Sequence, residues 1–499
     1  MLTDELLVDY QRCSRRSFLN LYGDPNSLDS ENDWVRRLQR VSQKHRQEHL
    51  QAMSAVRPVY PEQDWRAGAE ATLALMRQGV ERIHSGIILW EETTETPLAG
   101  RPDVLIKQPG TSIFGDWYYT PLEIKYSRRP KREYQTILAY QVSILDAIQK
   151  TAIEDAWLLL RDRGYYRVAV RKWLPQVDRL IQSCLTSLEQ SQAPEVFIAR
   201  HPCDTCRWYS SCHAVATASR HLSLVPGITP KRYQHLKTLN LATLESLATA
   251  NPDVIAPLWE DTAGKNPATA RQVATSIVRQ AQSILQEQPI PLPYQQGYHP
   301  SHFPNLGVEF YFDVEAEPER DLIFLHGVLV VNAQTNTETF HACIAKTPTE
   351  EGRCWHEFLE LAWKYPSAPI FHFCEYEVQT IKKLAKRYGT PYEWWSPLIE
   401  RCIDVHKWVT KTVVLPVESY TLKAIARWMG FDWRATKANG AQCICWYDRW
   451  LEAGDKEALE AIVRYNEDDC WATYVVTKWL RQFWYSETNN GNHPSQPVR

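Results

Sequence analysis

The chain has 499 residues, 44% of them hydrophobic and 23% charged, with a formal net charge of −3. At roughly 150 residues per domain, this length predicts two to four globular domains with more than one core. No run of about 18 uncharged apolar residues occurs, which excludes a membrane-spanning helix, and the near-neutral balance argues against a polycation that coats nucleic acid. The opening residues, MLTDELLVDYQRCSRR, lack the basic-then-apolar layout of a secretory signal. A cytoplasmic protein is therefore expected, with its 12 cysteines present as thiols or ligands and not as a disulfide framework.

Residues 1–218 read as one mixed α/β unit. Periodicity predicts helices over 32–55, 66–83 and 131–149, and another from about 174. Strands are expected at 85–91, 102–107, 118–126, 156–160 and 165–170. GRPDVLIK sets Asp103 where a strand begins, and PLEIKYS sets Glu123 and Lys125 two residues apart. On a strand those two share a face, while Ile124 points to the core. Two carboxylates hold Mg²⁺ or Mn²⁺ through hard oxygens, and a lysine beside them stabilises developing charge. An E-x-K triplet alone reads equally as a surface ion pair. The preceding G-x-P-D strand and the basic runs at 34–46 and 125–132 sharpen it.

GRPD followed by EIK resembles the PD-(D/E)XK nuclease superfamily in its RecB-like branch, which includes CRISPR-associated adaptation exonucleases and AddB subunits. The resemblance implies a restriction-endonuclease-like α/β fold and metal-dependent cleavage of DNA by Asp103, Glu123 and Lys125. It also implies a histidine metal ligand on an early helix, and a glutamine and a tyrosine on the helix after the E-x-K strand. SQKHRQEHL offers His45, with His49 close behind, although Ser42 and Arg46 stand where the family has Gly and Glu. EYQTILAYQ offers Gln135 and Tyr140, one residue further apart than usual.

HPCDTCRWYSSCH spaces Cys203, Cys206 and Cys212 as C-x2-C-x5-C, and Cys13 lies near the start of the chain. Four thiolates suit zinc or an iron–sulfur cluster, and the spacing leaves the metal open. One early cysteine and three just after a RecB-like core resemble the iron-staple nucleases. That resemblance implies a structural [4Fe–4S] cluster clasping the two ends of the domain.

Residues 219–290 read as short helices. LSLVPGITPKRY has the form of a helix–hairpin–helix turn, whose backbone N–H groups meet a phosphate. Thr229 replaces the second hairpin glycine, so an ordinary glycine turn is an equal alternative. The Pro-rich residues 291–305 read as a linker, and the polar residues 485–499 as a disordered tail.

Residues 306–484 begin a second α/β unit with the strand VEFYFDVEAE, where Asp313 and Glu315 share a face. FHFCEYE carries Glu377, and RYNEDDCWAT carries Tyr465 and Asp469 one helical turn apart. Four carboxylates bind two divalent ions that activate water and stabilise a leaving oxygen, and Tyr465 orients or deprotonates that water. DVE (313–315) and YNEDD (465–469) resemble the first and third motifs of the DEDD exonucleases of the RNase H-like superfamily, tyrosine subclass. The middle motif, N-x-x-x-(F/Y)-D in that family, is HFCEYE here, and Asp404 rivals Glu377 for its acid. The resemblance implies removal of nucleotides from the 3′ ends of DNA or RNA. Lys423, in LPVESYTLKAIARWMGF, serves either structure or nucleic acid.

The order of these parts resembles bacterial nucleases described as RecB-like. It implies an enzyme with two hydrolytic sites, acting on DNA and at its second site on RNA, in repair, processing or defence beside a helicase. The competing reading is a nucleic-acid-binding scaffold with one or both sites inactive.

Overall fold

A computed structural model of the protein describes residues 1–91, 96–262, 266–293, 295–436 and 438–490. It is mixed α/β, and among the described residues no sheet closes into a barrel. The chain divides into two compact units, Met1–Val196 with Arg200–Val215, and Phe197–Ala199 with Ala216–Arg499.

The first unit runs β1 (Leu2–Thr3), α1 (Asp4–Arg12), α2 (Ser14–Tyr22), α3 (Asp33–Ala52), α4 (Trp65–Arg77), β2 (Arg82–His84), β3 (Ile88–Trp90), β4 (Leu98–Gly100), β5 (Val104–Ser112) and β6 (Gly115–Lys125). It continues through α5 (Arg132–Gln149), β7 (Asp155–Leu160), β8 (Gly164–Ala169), α6 (Leu174–Leu188) and α7 (Arg200–Asp204), and enters α8 (Tyr209–Ala218). Side-chain oxygens open its helices: Thr3 accepts from Leu6 at α1, Asn32 from Trp34 at α3 and Asp64 from Ala67 at α4. The main sheet has the order β2-β5-β6-β7-β8, and only β6 and β7 run parallel. A parallel pair needs a crossover, which α5 supplies, burying Leu138, Tyr140, Val142 and Leu145. Of the strand expected over 85–91 only Ile88–Trp90 forms, as β3, and a separate strand, β2, ends just before Ser85. The left-handed backbone of Ser85 (φ 54°) turns the chain out of the main sheet into a second one of order β1-β4-β3.

In the second unit, α9 (Pro230–Thr238), α10 (Leu244–Ala248), α11 (Pro252–Ile255) and α12 (Pro267–Gln286) close over Leu236, Leu247, Ile255, Trp259 and Ile277. The glycine hairpin before α9 packs inward. Val225 and Ile228 are buried, Gly227 (φ 89°) sits against Ile277, and Arg232 returns a hydrogen bond to the Gly227 carbonyl at 2.7 Å.

Next come β9 (Ile290–Pro291), β10 (Val308–Glu317), β11 (Leu322–Asn332), β12 (Thr337–Ile344), α13 (Glu351–Lys364), β13 (Ile370–His372), α14 (Tyr376–Arg387) and α15 (Tyr392–Glu400). The unit ends with β14 (Cys402–Asp404), α16 (Val405–Thr412), β15 (Val413–Val414), α17 (Leu422–Trp428), α18 (Gly440–Ala453) and α19 (Lys456–Asn490). Its sheet has the order β12-β11-β10-β13-β14, antiparallel over the first three strands and parallel over the rest.

The segment expected as a linker, 291–305, is folded onto this unit. β9 pairs with β15, Leu292 donates to the Thr412 carbonyl at 2.9 Å, and Phe303 is buried among Phe371, Trp408 and Trp484. Its prolines signal a linker, but Tyr298 and Phe303 carry the apolar area that docks it. Residue 294 lies outside the described residues. Of the tail expected to be disordered, 485–490 continue α19, and 491–499 lie outside the described residues. Among the described residues no helix is long and apolar enough to cross a membrane.

Candidate metal sites

Strand alternation on β10 puts Phe310, Phe312 and Val314 on one face and Glu309, Tyr311, Asp313 and Glu315 on the other. Glu309 is held by Tyr311 (2.7 Å) and Arg481 (2.6 Å). Asp313 and Glu315 instead meet α19, which presents Asp469. One ligand oxygen from each of Asp313, Glu315 and Asp469 lies within 4.8 Å of the others. Among the described residues this is the single such group of three or more His, Cys, Asp or Glu.

Burial, and then the neighbouring acids, push Asp313 and Glu315 well above the usual carboxylate range. Burial pushes Asp469 up to about 7, although the Trp433 indole (2.7 Å), Lys423 and the Tyr465 hydroxyl favour its anion. Three largely enclosed carboxylates this close are costly without a cation, and their hard oxygens match Mg²⁺ or Mn²⁺. The donor set therefore fits a divalent metal.

Neighbouring residues fix the acids. Asn466 donates to Asp313 at 2.6 Å, and it reaches there because Gly327, the register partner of Asp313 on β11, has no side chain. A Cβ at 327 would lie 1.6 Å from the Asn466 Oδ1. Asp468, adjacent to Asp469, is turned to Arg434 (Nε–Oδ1 2.8 Å) and takes no part in the cluster. Burial, followed by Asp469 and Glu315, drives the Tyr465 phenol far above its usual range, so it serves here as a hydrogen-bond donor. Lys423 lies 4.8 Å from the Tyr465 ring centre and donates to the Ala438 carbonyl, which places it at the site's edge.

Glu377 opens α14, buried, with no hydrogen bond to its Oε2 among the described residues. His372 Nδ1 stands 3.5 Å away but is engaged by the Cys374 carbonyl at 2.5 Å. Glu377 lies outside the 4.8 Å group, yet near enough to raise Asp313 and Glu315. Asp404 is a helix cap: its Oδ1 accepts from Lys407 (3.1 Å) at the start of α16 and from Cys374 (3.2 Å).

In the first unit, Asp103 Oδ2 accepts from the Ile124 backbone at 2.7 Å, and Arg46 Nε lies 2.6 Å from Oδ1. Glu123 meets Lys125 Nζ at 2.5 Å and Gln141 Nε2 at 2.8 Å. The same Gln141 nitrogen reaches Asp4 Oδ2 at 3.0 Å. Burial and then Glu123 raise Asp103 to about 7, opposed by Lys125 and Arg46. Burial depresses the Lys125 amine, but Glu123 and Asp103 more than offset it. Three buried acids here thus face two cations of the chain itself.

Asp4 and Gln141 carry no motif of their own in the sequence, where Arg46 stands out only as a departure from the family's Glu. Gln135 donates instead to the Pro130 carbonyl (2.9 Å), and Tyr140 to the Leu2 carbonyl (2.6 Å), where it fastens β1 to α5. His45 packs edge-on to His49 (4.5 Å) and Tyr126 (5.5 Å), with no hydrogen bond to its Nε2 among the described residues.

Cys13 lies between α1 and α2, Cys203 on α7, Cys206 in the following turn and Cys212 on α8. Burial raises the Cys206 and Cys212 thiols, and Cys13 is close enough to raise both further. No three of these sulfurs lie within 4.8 Å of one another. With Zn–S bonds of about 2.3 Å, a formed zinc tetrahedron would bring them that close. The strap is also pinned by protein bonds: Trp208 donates to Asn20 (2.8 Å) and Ser210 to Asp29 (2.9 Å).

No curated protein matches the chain. Residues 310–481, from β10 into α19, match the family model of the RNase_H superfamily, and the stretch contains Asp313, Glu315, Glu377, Tyr465 and Asp469. From β10 into α19 the chain is therefore an RNase H-like domain, a nuclease-type fold.

Proposed function

We propose that the protein is a metal-dependent nuclease and that its second unit hydrolyses phosphodiester bonds at Asp313, Glu315 and Asp469. The observation that carries this is the convergence of those three carboxylates in an RNase H-like domain. They would hold Mg²⁺ or Mn²⁺, with Glu377 at the margin. When bound, such ions supply an activated water and neutralise charge on the phosphate. Tyr465 donates a hydrogen bond that orients the attacking water, Asn466 fixes Asp313, and Lys423 offsets phosphate charge. The substrate is DNA or RNA, attacked from a 3′ end. In the full-length protein, cleavage of labelled oligonucleotides should need Mn²⁺ or Mg²⁺, stop with EDTA, and lose its 3′-end products in Asp469→Ala. Metal-independent cutting, or an unchanged Asp469→Ala, would refute the assignment.

Asp103, Glu123 and Lys125 support a second, RecB-like nuclease site acting on DNA, with His45 as a further ligand. A specific observation favours the alternative that this site binds nucleic acid without cutting it: Arg46 already occupies Asp103. Lys125→Ala separates the two, since a cutting site loses products and a binding site does not. The four cysteines would hold a structural [4Fe–4S] cluster, with zinc as the alternative. Iron, sulfide and zinc analysis of anaerobically purified protein decides between them. A role in DNA repair, processing or defence beside a helicase completes the proposal.

A further inference from the structure

A cleft of about 480 Å³ opens in the first unit, lined by Arg57, Val59, Tyr60, Glu62, Trp65 and Arg101. Its volume falls within the roughly 300–1,000 Å³ of built ligand sites. Its walls are tied to the Asp103–Glu123 acids by short chains of hydrogen bonds. Tyr60 donates to the Ser85 carbonyl (3.3 Å), and the Ser85 N–H donates to the Asp103 carbonyl (3.1 Å). On the other side, the Arg101 N–H donates to Asp4 at 2.8 Å. The Arg101 guanidinium lies 5.0 Å from the Trp65 ring centre. Among the described residues neither Arg57 nor Arg101 forms an ion pair, and both line the cleft from exposed positions. One carboxylate, Glu62, also lines it.

Two exposed guanidiniums beside two aromatic rings make a surface for alternating phosphates and bases. Guanidinium meets phosphate in a fork of paired hydrogen bonds. Each base stacked on an aromatic side chain contributes about 1–3 kcal/mol, whatever its sequence. A base paired within a duplex has no free face to offer. We propose that this cleft binds single-stranded nucleic acid, with phosphates on Arg57 and Arg101 and a base against Tyr60 or Trp65, and so delivers a strand to the Asp103–Glu123 site. The delivery role rests on reading that site as a nuclease; the binding does not.

The test uses the full-length protein in EDTA, where nothing is cut. A single-stranded DNA oligonucleotide carrying 5-iodouracil is photocrosslinked and the attachment sites are mapped by mass spectrometry. Affinity is measured in parallel by anisotropy over a salt series, for single-stranded DNA, single-stranded RNA and duplex DNA. Crosslinks at Tyr60 or Trp65 are expected. Arg57→Ala/Arg101→Ala should weaken single-strand binding about tenfold and lower the salt slope by about 1.4, the value for two lost phosphate contacts. Arg57→Lys/Arg101→Lys should restore the slope, which also controls for misfolding. No crosslink within 57–65 together with an unchanged slope in the alanine variant would overturn the proposal, as would duplex binding as tight as single-strand binding. Lys125→Ala, assayed with Mn²⁺, tests the nuclease reading separately. If that variant cuts as wild type while the crosslinks remain, the nuclease reading falls and the cleft stands as a binding site.

Discussion

Asp313 illustrates how one half-buried carboxylate depends on residues far away in sequence. Its orientation comes from Asn466, and Asn466 reaches it through space left open at Gly327. Asp313→Ala should reduce cleavage by the second unit by at least 10²–10³-fold, the scale for losing a preorganised electrostatic group. Asn466→Ala acts one bond further out, so a 10–100-fold loss in Mn²⁺ affinity or rate is expected, measured by titration calorimetry and turnover. Gly327→Ala forces Asn466 aside. It should cost about 1–3 kcal/mol of stability and weaken Mn²⁺ binding to match Asn466→Ala. A Gly327→Ala protein with wild-type metal affinity would contradict this geometry.

Protonation at the same residues gives a second prediction. In the metal-free protein Asp103 and Asp469 titrate at about 7, against an ordinary value of 3.8. A carboxyl raised on folding costs nothing below its unfolded value and imposes its full penalty above its folded one. In EDTA, thermal stability should therefore rise as pH falls from about 8 toward 5. Mn²⁺ should raise the melting temperature most at the alkaline end, where these acids are ionised. A melting temperature in EDTA that climbs with pH across this window would contradict the burial of these acids.

At the scale of elements, the strand motifs were legible because they are local. DVE and EIK place two functional groups on one face by alternation alone, and YNEDD places Tyr465 and Asp469 one turn apart. What crosses between elements was not legible. Arg46 on α3 reaches Asp103, Asp4 on α1 reaches Gln141, and Trp433 reaches Asp469, and no spacing rule spans those separations. Gln135 shows the limit on a helix. It sits in the first turn of α5 and bonds back to Pro130, whereas Gln141, on another face nearly two turns later, meets Glu123. The Pro-rich 291–305 misled for a related reason: composition reported the backbone but not the docking of Phe303. Arg46 yields a prediction at this scale. Arg46→Ala strips the Asp103 Oδ1 of its cation, which should destabilise the metal-free protein by about 1–3 kcal/mol. Mn²⁺ should recover that loss and bind the first unit more tightly than in wild type, as read by calorimetry in an Asp313→Ala background. Unchanged or weaker binding would mean that Arg46 does not compete with a cation.

Across the whole molecule, the two units carry their acids on unrelated sheets, one built around β5 and β6 and the other around β10. A metal clip joining Cys13 to Cys203, Cys206 and Cys212 would close a loop of about 200 residues. Loop-closure entropy then predicts about 5 kcal/mol of stabilisation of the first unit, lost in Cys206→Ser and seen as a lower melting temperature. Cleavage by the second unit should be untouched by that change. Whether the acids of β10 and α19 form a working site of their own is decided by one assay. Wild type, Lys125→Ala, Asp313→Ala and the double variant are compared on end-labelled single-stranded DNA and RNA in Mn²⁺. Asp313→Ala is expected to remove one set of products, Lys125→Ala a different set, and the double variant all of them. Products unchanged by Asp313→Ala, alone and with Lys125→Ala, would rule that site out.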